Sequence, residues 1–422
     1  MKNWSAQISE RYAVNLPADL RAWFDDEVWK EPGGAEFNQP LTPQQLLEPE
    51  PGFIWGGFML PDSLPVLGNE YGDWLCLRVD EHNTVSDVIY WCHGGGDWIP
   101  YGATFAEAVL YDAAFRVIYD RRPEFVEPEP AGRQVFRLAQ WALDWIDTDP
   151  RELTFWKHDG RHADPLPGLL NAGVAQVSTH RDLILKHLQS ELKTRSNPDV
   201  ARQIDIPWEP DFVSWIFDTA LLPELRRDQL SRRWNVPAEK LIVQDWESAE
   251  REALKVAALR SDLGWPFDIA GWAAERRGDV SAAIELYLQG VHASLFSDDA
   301  IRFRSHWFAD GFAKFSAARL FELREALAGE LRDDPYLNLF WANDPETLRD
   351  RSRDFWLSAA LAAQRAHDHA AAYQSFYLAG WDVGLQHLDH YAEILDGLTD
   401  SAQAANWPGR AAVAQLHRQS LR

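Results

Sequence analysis

Ser63 to Phe105 reads SLPVLGNEYGDWLCLRVDEHNTVSDVIYWCHGGGDWIPYGATF, and the fold turns on this stretch. Two short apolar runs, Asp73–Val79 (DWLCLRV) and Val85–Cys92 (VSDVIYWC), flank the polar connection Asp80–Thr84. Trp, Leu, Val, Ile and Tyr in runs of this length, punctuated by Gly, Asp and Asn, predict strands. The pair therefore reads as a β-hairpin or meander. On the first strand, Leu75 and Leu77 share a face that Trp74 does not. Thr104 then opens TFAEAVLYDAAFRVI, with Thr as N-cap, Glu107 three residues on and apolar residues at helical spacing. Leu75 and Leu77 are expected beneath this helix, Thr104–Ile118.

Working outward towards the N-terminus, Leu16–Trp29 predicts a helix, with Pro17 tolerated at its start because the missing N–H would be unpaired there. Glu31–Gly52 is a Pro- and Gly-rich loop or short helix. Phe53–Leu60 predicts a strand with a bulge at Gly56-Gly57. Towards the C-terminus, Arg121–Gly132 (RRPEFVEPEPAG) has the Pro and Glu content of a stiff linker. From Arg133 the texture is helical: Arg133–Asp147 places Val135, Leu138, Trp141, Ala142 and Trp145 on one face. Leu169–Arg195, Phe212–Leu222, Pro223–Trp234 and Ala238–Leu263 continue the series.

Asp268–Ser294 (DIAGWAAERRGDVSAAIELYLQGVHAS) reads as two helices around a tight Gly278-Asp279 turn. Leu361–Trp381 echoes it about ninety residues on, through Tyr-Leu-x-Gly at Tyr287–Gly290 and Tyr377–Gly380. The expected organisation is an α+β domain over residues 1–120, a linker over 121–132, a helical region over 133–263 and helical hairpins over 264–422.

Residues 10 to 118 resemble the SUKH superfamily, which includes the yeast cell-wall-assembly regulator and many bacterial immunity proteins. The residues that carry the likeness are LPADLRAWF (Leu16–Phe24), LPVLGNEYGDWLCLRV (Leu64–Val79), VIYWCH (Val88–His93) and TFAEAVL (Thr104–Leu110). The chain departs from that pattern in the Gly-rich loop Gly94–Trp98 and the Trp-heavy segment Gly52–Met59. The 268–294 hairpin resembles tetratricopeptide hairpins, in which small residues let paired helices approach closely. The first resemblance implies a SUKH-like α+β fold and a non-catalytic binding role, such as an immunity protein that covers a toxin's active site.

Charge points to the class of partner. The net charge is −24; residues 1–132 hold 8 Lys and Arg against 22 Asp and Glu, a net −14. Acid concentrated in the shorter segment favours a basic protein partner and disfavours nucleic acid, whose phosphates need a basic patch. Two cysteines, Cys76 and Cys92, are too few for a disulfide framework. With no apolar leader and no run of transmembrane length, a cytoplasmic protein with reduced thiols is expected. The 21 Trp are mostly core, with a minority available as interface anchors.

Candidate chemical sites each have a plainer reading. His93-Gly94-Gly95-Gly96 looks like the oxyanion loop of lipases, but the chain has no Gly-x-Ser-x-Gly elbow. Cys76, His82, Cys92 and His93 lack the close pair spacing of zinc sites. His367-x-His369 and His387-x-x-His390 read as solvated helix faces. Arg226–Leu241 (RRDQLSRRWNVPAEKL) has the look of a helix-turn-helix that the overall charge opposes. No catalytic residue, metal or cofactor is expected. The function expected is a non-catalytic protein-binding protein, an immunity or antitoxin-type inhibitor of a toxin domain such as a nuclease. The alternative is an adaptor or regulatory scaffold that binds a protein through its helices. The partner surface expected comprises Glu70, Tyr71, Asp73, Asp80, Glu81, Asp97 and Trp98, acids at strand ends beside aromatic residues in loops.

Overall fold

A computed structural model describes residues 3–31, 36–49, 52–94, 98–109, 261–294, 314–342, 344–383 and 390–421, with isolated positions at 112, within 138–145 and within 250–258. The expected linker 121–132 lies outside the described residues, as does nearly all of the helical region 133–263. The chain divides into two compact units, one of residues 1–178 with 349–422 and one of residues 179–348.

The first unit is built on a five-stranded antiparallel meander in chain order: β1 (Gln39–Pro40), β2 (Ser63–Gly68), β3 (Trp74–Val79), β4 (Val85–Trp91) and β5 (Trp98–Gly102). Leu75, Leu77 and Val79 enter the main core with Leu64 and Val66 of β2 and Val88 of β4. Two N-terminal helices, α1 (Trp4–Tyr12) and α2 (Ala18–Asp25), add Ile8, Tyr12, Leu20, Trp23 and Phe24 to it. α2 is shorter than Leu16–Trp29, because Glu27 takes a left-handed φ of 57° and a 3-10 turn follows at Val28–Lys30.

The helix after β5 starts as its sequence predicts. The Glu107 amide donates to Thr104 Oγ1 (3.2 Å), and Glu107 Oε2 accepts from the Ala103 amide (2.7 Å). Phe105, Ala106, Ala108 and Val109 from this helix join the core above Leu75 and Leu77.

The opposite face of β3 is buried as well. Cys76 has no exposure, and Arg78 pairs with Asp62 at 2.7 Å while lying over the Trp98 ring at 5.2 Å. Of residues 53–60, Ile54 joins the main core, while Trp55 lies beside the Trp91 ring and Trp91 Nε1 donates to the Phe58 carbonyl. The segment forms turns in place of the expected strand: the Phe58 and Met59 amides both return to the Trp55 carbonyl, leaving no extended run to pair. Between β1 and β2, α3 (Pro43–Leu46) is fixed by a capping box of Thr42 and Gln45.

In the second unit, α4 (Gly264–Arg276) and α5 (Val280–His292) form the expected hairpin, followed by α6 (Phe315–Glu322), α7 (Gly329–Arg332) and α8 (Pro335–Trp341). At Gly271 a Cβ would stand 2.6 Å from the Tyr287 ring, so only glycine allows α4 and α5 to lie this close. Buried Lys314 closes α5 by donating to the carbonyls of Val291 and Ala293, a cation at a helix C-terminus. The boundary helix α9 (Pro345–Arg365) leads into α10 (His369–Trp381), and α11 (Tyr391–Ala404) with α12 (Pro408–Gln419) ends the chain.

Three helical hairpins share one turn. Asp279, Asp368 and Trp407 each send their amide five residues back, to the carbonyls of Ala274, Ala363 and Ala402. The residue before each is left-handed: Gly278 at φ 81°, His367 at 58° and Asn406 at 62°. Asp279 and Asp368 then cap the following helix by accepting from Ala282 and Ala371, both at 3.1 Å.

The last hairpin, expected within a 264–422 region, belongs to the first unit together with the sheet. Val413 and Leu416 of α12 are part of the N-terminal core. The Gly409 amide donates to Asn83 Oδ1 (2.8 Å), Arg410 Nε to the Val79 carbonyl (2.9 Å) and His417 Nε2 to the Ser63 carbonyl (2.8 Å).

Candidate functional site

The end of the sheet where β2 turns into β3 gathers most of the unusual polar chemistry. Asn69 Oδ1 accepts from the Tyr71 amide (3.0 Å) and the Asp73 amide (2.9 Å), which folds residues 69–73 into a tight turn. Gly72 completes the turn at φ 91°, a conformation that side chains disfavour. Asp73 is 5% exposed and anchors the neighbouring segment. Its Oδ1 accepts from the His93 amide (3.0 Å) and stands 2.8 Å from His93 Nδ1; its Oδ2 accepts from Tyr90 OH (2.9 Å) and Asn69 Nδ2 (3.1 Å).

Burial alone would push the Asp73 carboxyl up. The hydrogen bonds from His93, Asn69 and Tyr90 outweigh it and hold the group below the usual carboxylate range. Its charge is felt by its neighbours: burial, then Asp73, pushes up both the Glu36 carboxyl and the Tyr90 phenol. With Asp73 ionised, Nδ1 of His93 carries the proton, and Nε2 is left as the outer nitrogen of a side chain that is 44% exposed.

Around this buried network, Glu70 is exposed and Tyr71 is 74% exposed. The arrangement offers an aromatic ring, a carboxylate and an imidazole on one edge, with the turn backbone and the imidazole held by hydrogen bonds. Such a surface can recognise a partner at low cost in conformational entropy.

The expected surface residues do not form one patch. Glu70 and Tyr71 are on this edge. Asp73 is beneath it rather than facing water, because four donors converge on its carboxylate. Trp98 is not a loop residue: it opens β5 opposite Trp91 and is 1% exposed, held by cross-strand packing and the Arg78 guanidinium. Asp97 lies outside the described residues. Asp80 and Glu81 are at the other end of β3, roughly 20 Å away at ~3.3 Å per residue. There Asp80 is committed to its own turn, accepting from the His82 and Thr84 amides and from Thr84 Oγ1, and Glu81 pairs with Arg410 at 3.1 Å.

Four participants escaped the sequence reading as members of this site: Asn69, Tyr90, Glu36 and His93, the last considered only for an oxyanion loop or a zinc set. Asn-x-x-Gly-Asp is a turn signal that could have drawn attention to Asn69. The weighed zinc set is dispersed, with Cys76 in mid-strand, His82 at the far turn and Cys92-His93 at this edge. Among the described residues no group of three His, Cys, Asp or Glu is placed to hold a metal ion. Cys76 is buried and Cys92 half-buried. His387 lies outside the described residues.

No family model matches the chain, and neither a curated protein nor a solved structure matches it. No described helix is long and apolar enough to cross a membrane.

Proposed function

We propose that this chain is a non-catalytic protein-binding protein, an immunity or antitoxin-type inhibitor that covers the active site of a basic toxin domain such as a nuclease. The observation that carries the reading is Tyr71, an aromatic side chain 74% exposed on a turn whose backbone is already hydrogen-bonded. Large exposed aromatic side chains on rigid backbone are what interface anchors need. The surplus of acid in residues 1–132 supports a basic partner, because complementary charge raises the rate of encounter.

Once a partner is isolated from the source cell, Tyr71→Ala should weaken binding by about 2 kcal/mol or more, roughly thirtyfold in Kd, with the melting temperature unchanged. Glu70→Lys should slow association, most clearly at low salt. Wild-type affinity and association in both folded variants would remove this edge as the binding surface.

The second reading is an adaptor that grips a protein through its helices, favoured by three hairpins with one turn geometry and by Leu361 of α9, 46% exposed. There Leu361→Lys weakens binding and Tyr71→Ala does not.

A further inference from the structure

Three fully buried polar atoms of the first unit have no hydrogen-bond partner and share one neighbourhood. They are Asp62 Oδ1, Tyr373 OH of α10 and His417 Nδ1 of α12, on residues 2%, 2% and 0% exposed. The Asp62 carboxylate lies close enough to act electrostatically on both the Tyr373 phenol and the His417 imidazole, and contacts run between the same segments. The Asp62 carbonyl accepts from the Val79 amide (2.9 Å), and the Val79 carbonyl accepts from Arg410 Nε. The Arg410 guanidinium lies 5.2 Å over the Tyr373 ring. His417 Nε2 donates to the carbonyl of Ser63, the residue after Asp62. Asp62 is held on its other oxygen by Arg78.

The chemistry of the three atoms specifies what would satisfy them. Asp62 Oδ1 can only accept. His417 spends its proton on Ser63, so Nδ1 also presents a lone pair. Tyr373 OH can donate or accept. The complement must therefore donate two hydrogen bonds and, with the phenol as donor, accept one. Water does this. An ammonium group cannot accept, and it would sit among the positive charges of Arg78 and Arg410; a simple anion cannot donate. An acceptor or donor left bare in a protein interior costs a large part of a domain's marginal stability.

We infer that Asp62, Tyr373 and His417 form an internal binding site for a single structural water, which bridges the loop before β2 to helices α10 and α12. Buried waters of this kind make about three hydrogen bonds and behave as part of the fold. Here the bridge would join two segments more than 300 residues apart in the chain.

Two measurements on the full chain test it. A crystal structure of the wild type should show one ordered water at hydrogen-bond distance, about 2.6–3.2 Å, from Asp62 Oδ1, Tyr373 OH and His417 Nδ1. Tyr373→Phe, which removes one partner of that water and nothing else, should lower the melting temperature by several degrees. An unchanged or higher melting temperature would mean that the phenol is bare and overturns the inference. So would a direct hydrogen bond of Tyr373 OH to Asp62 in the crystal, or the absence of ordered solvent between the three atoms.

Discussion

Leu416 of α12 is 3% exposed and belongs to the same core as Leu77 and Val79 of β3, although some 340 residues separate them in the chain. Leu416→Ala removes three side-chain carbons from that core. Buried Leu→Ala changes cost roughly 2–5 kcal/mol, the larger values where the surroundings cannot close over the cavity. Closure is resisted here. α12 is pinned by the hydrogen bonds of Gly409 to Asn83, Arg410 to the Val79 carbonyl and His417 to the Ser63 carbonyl. Gly409 is already in contact, since a Cβ there would stand 3.1 Å from both Val14 and Val79. The upper half of the range is therefore expected. Native-state hydrogen exchange of the backbone amides reads where the loss is felt. If α12 is integral to the sheet unit, amides of β2 and β3 should exchange faster together with those of α12, by at least about thirtyfold for 2 kcal/mol. Faster exchange confined to residues 408–419, with wild-type protection in residues 63–68 and 74–79, would show that α12 opens by itself and refute the argument.

Two further outcomes follow from single residues. His367 takes the left-handed conformation that Gly278 occupies in the equivalent turn, and such a conformation costs an L-residue roughly 1–2 kcal/mol. Part of that is offset by glycine's larger entropy when unfolded, so His367→Gly should stabilise by about 0.5–1 kcal/mol in urea titration, and Gly278→His should destabilise. Burial pushes the His417 imidazole down to about 4, whereas an unfolded histidine titrates near ~6.5. Its contribution is complete above the unfolded value and is lost as pH falls towards the folded one. Between pH 7 and 4.5 the wild type should lose roughly 2–3 kcal/mol more than His417→Gln. Glu107 and Asp268, which burial pushes up to about 7, change in the opposite sense but equally in both proteins. A wild-type-to-variant difference that does not vary with pH would mean that His417 is solvated.

What could be read from the sequence was local. Thr104 with Glu107 announces a helix start within four residues, and the apolar runs 73–79 and 85–92 announce paired strands. What failed depended on distant partners. The aromatic content of residues 53–60 suits a strand, yet Phe53 and Trp55 pack from turns beside Trp74 and Trp91 of the sheet. Trp98 follows a glycine run and so looked like a loop residue; its burial comes from Trp91 and Arg78 across the sheet. Asp73 flanks a strand, a place where acids usually meet water, but donors at 69, 90 and 93 bury it. The hairpin echo was real but displaced. Matching Tyr-Leu-x-Gly sets an offset of 90, whereas the turns at Gly278-Asp279 and His367-Asp368 align at 89, which puts Phe376 rather than Tyr377 opposite Tyr287. Nothing local marks α12 as a component of the N-terminal core, because its apolar face would suit any neighbour.

The return of α12 also bears on where a partner can approach. At the Asp80–Thr84 end of the sheet, Asn83 caps α12, and Arg410 both pairs with Glu81 and binds the Val79 carbonyl. A basic partner arriving there would have to displace a guanidinium that already occupies the site, and would meet its positive charge first. At the opposite end the buried Asp73 is consumed by His93, Asn69 and Tyr90, but the groups it positions are outward: Glu70, the Tyr71 ring and the His93 edge. The chain therefore spends one end of its sheet on its own C-terminal helix and leaves Glu70, Tyr71 and the His93 edge exposed at the other. Charge reversal distinguishes the two ends. Glu81→Lys should weaken the docking of α12, through repulsion with Arg410, and leave partner association as it was. Glu70→Lys should leave stability as it was and slow association. The reverse assignment would place the binding surface at the Asp80 end after all.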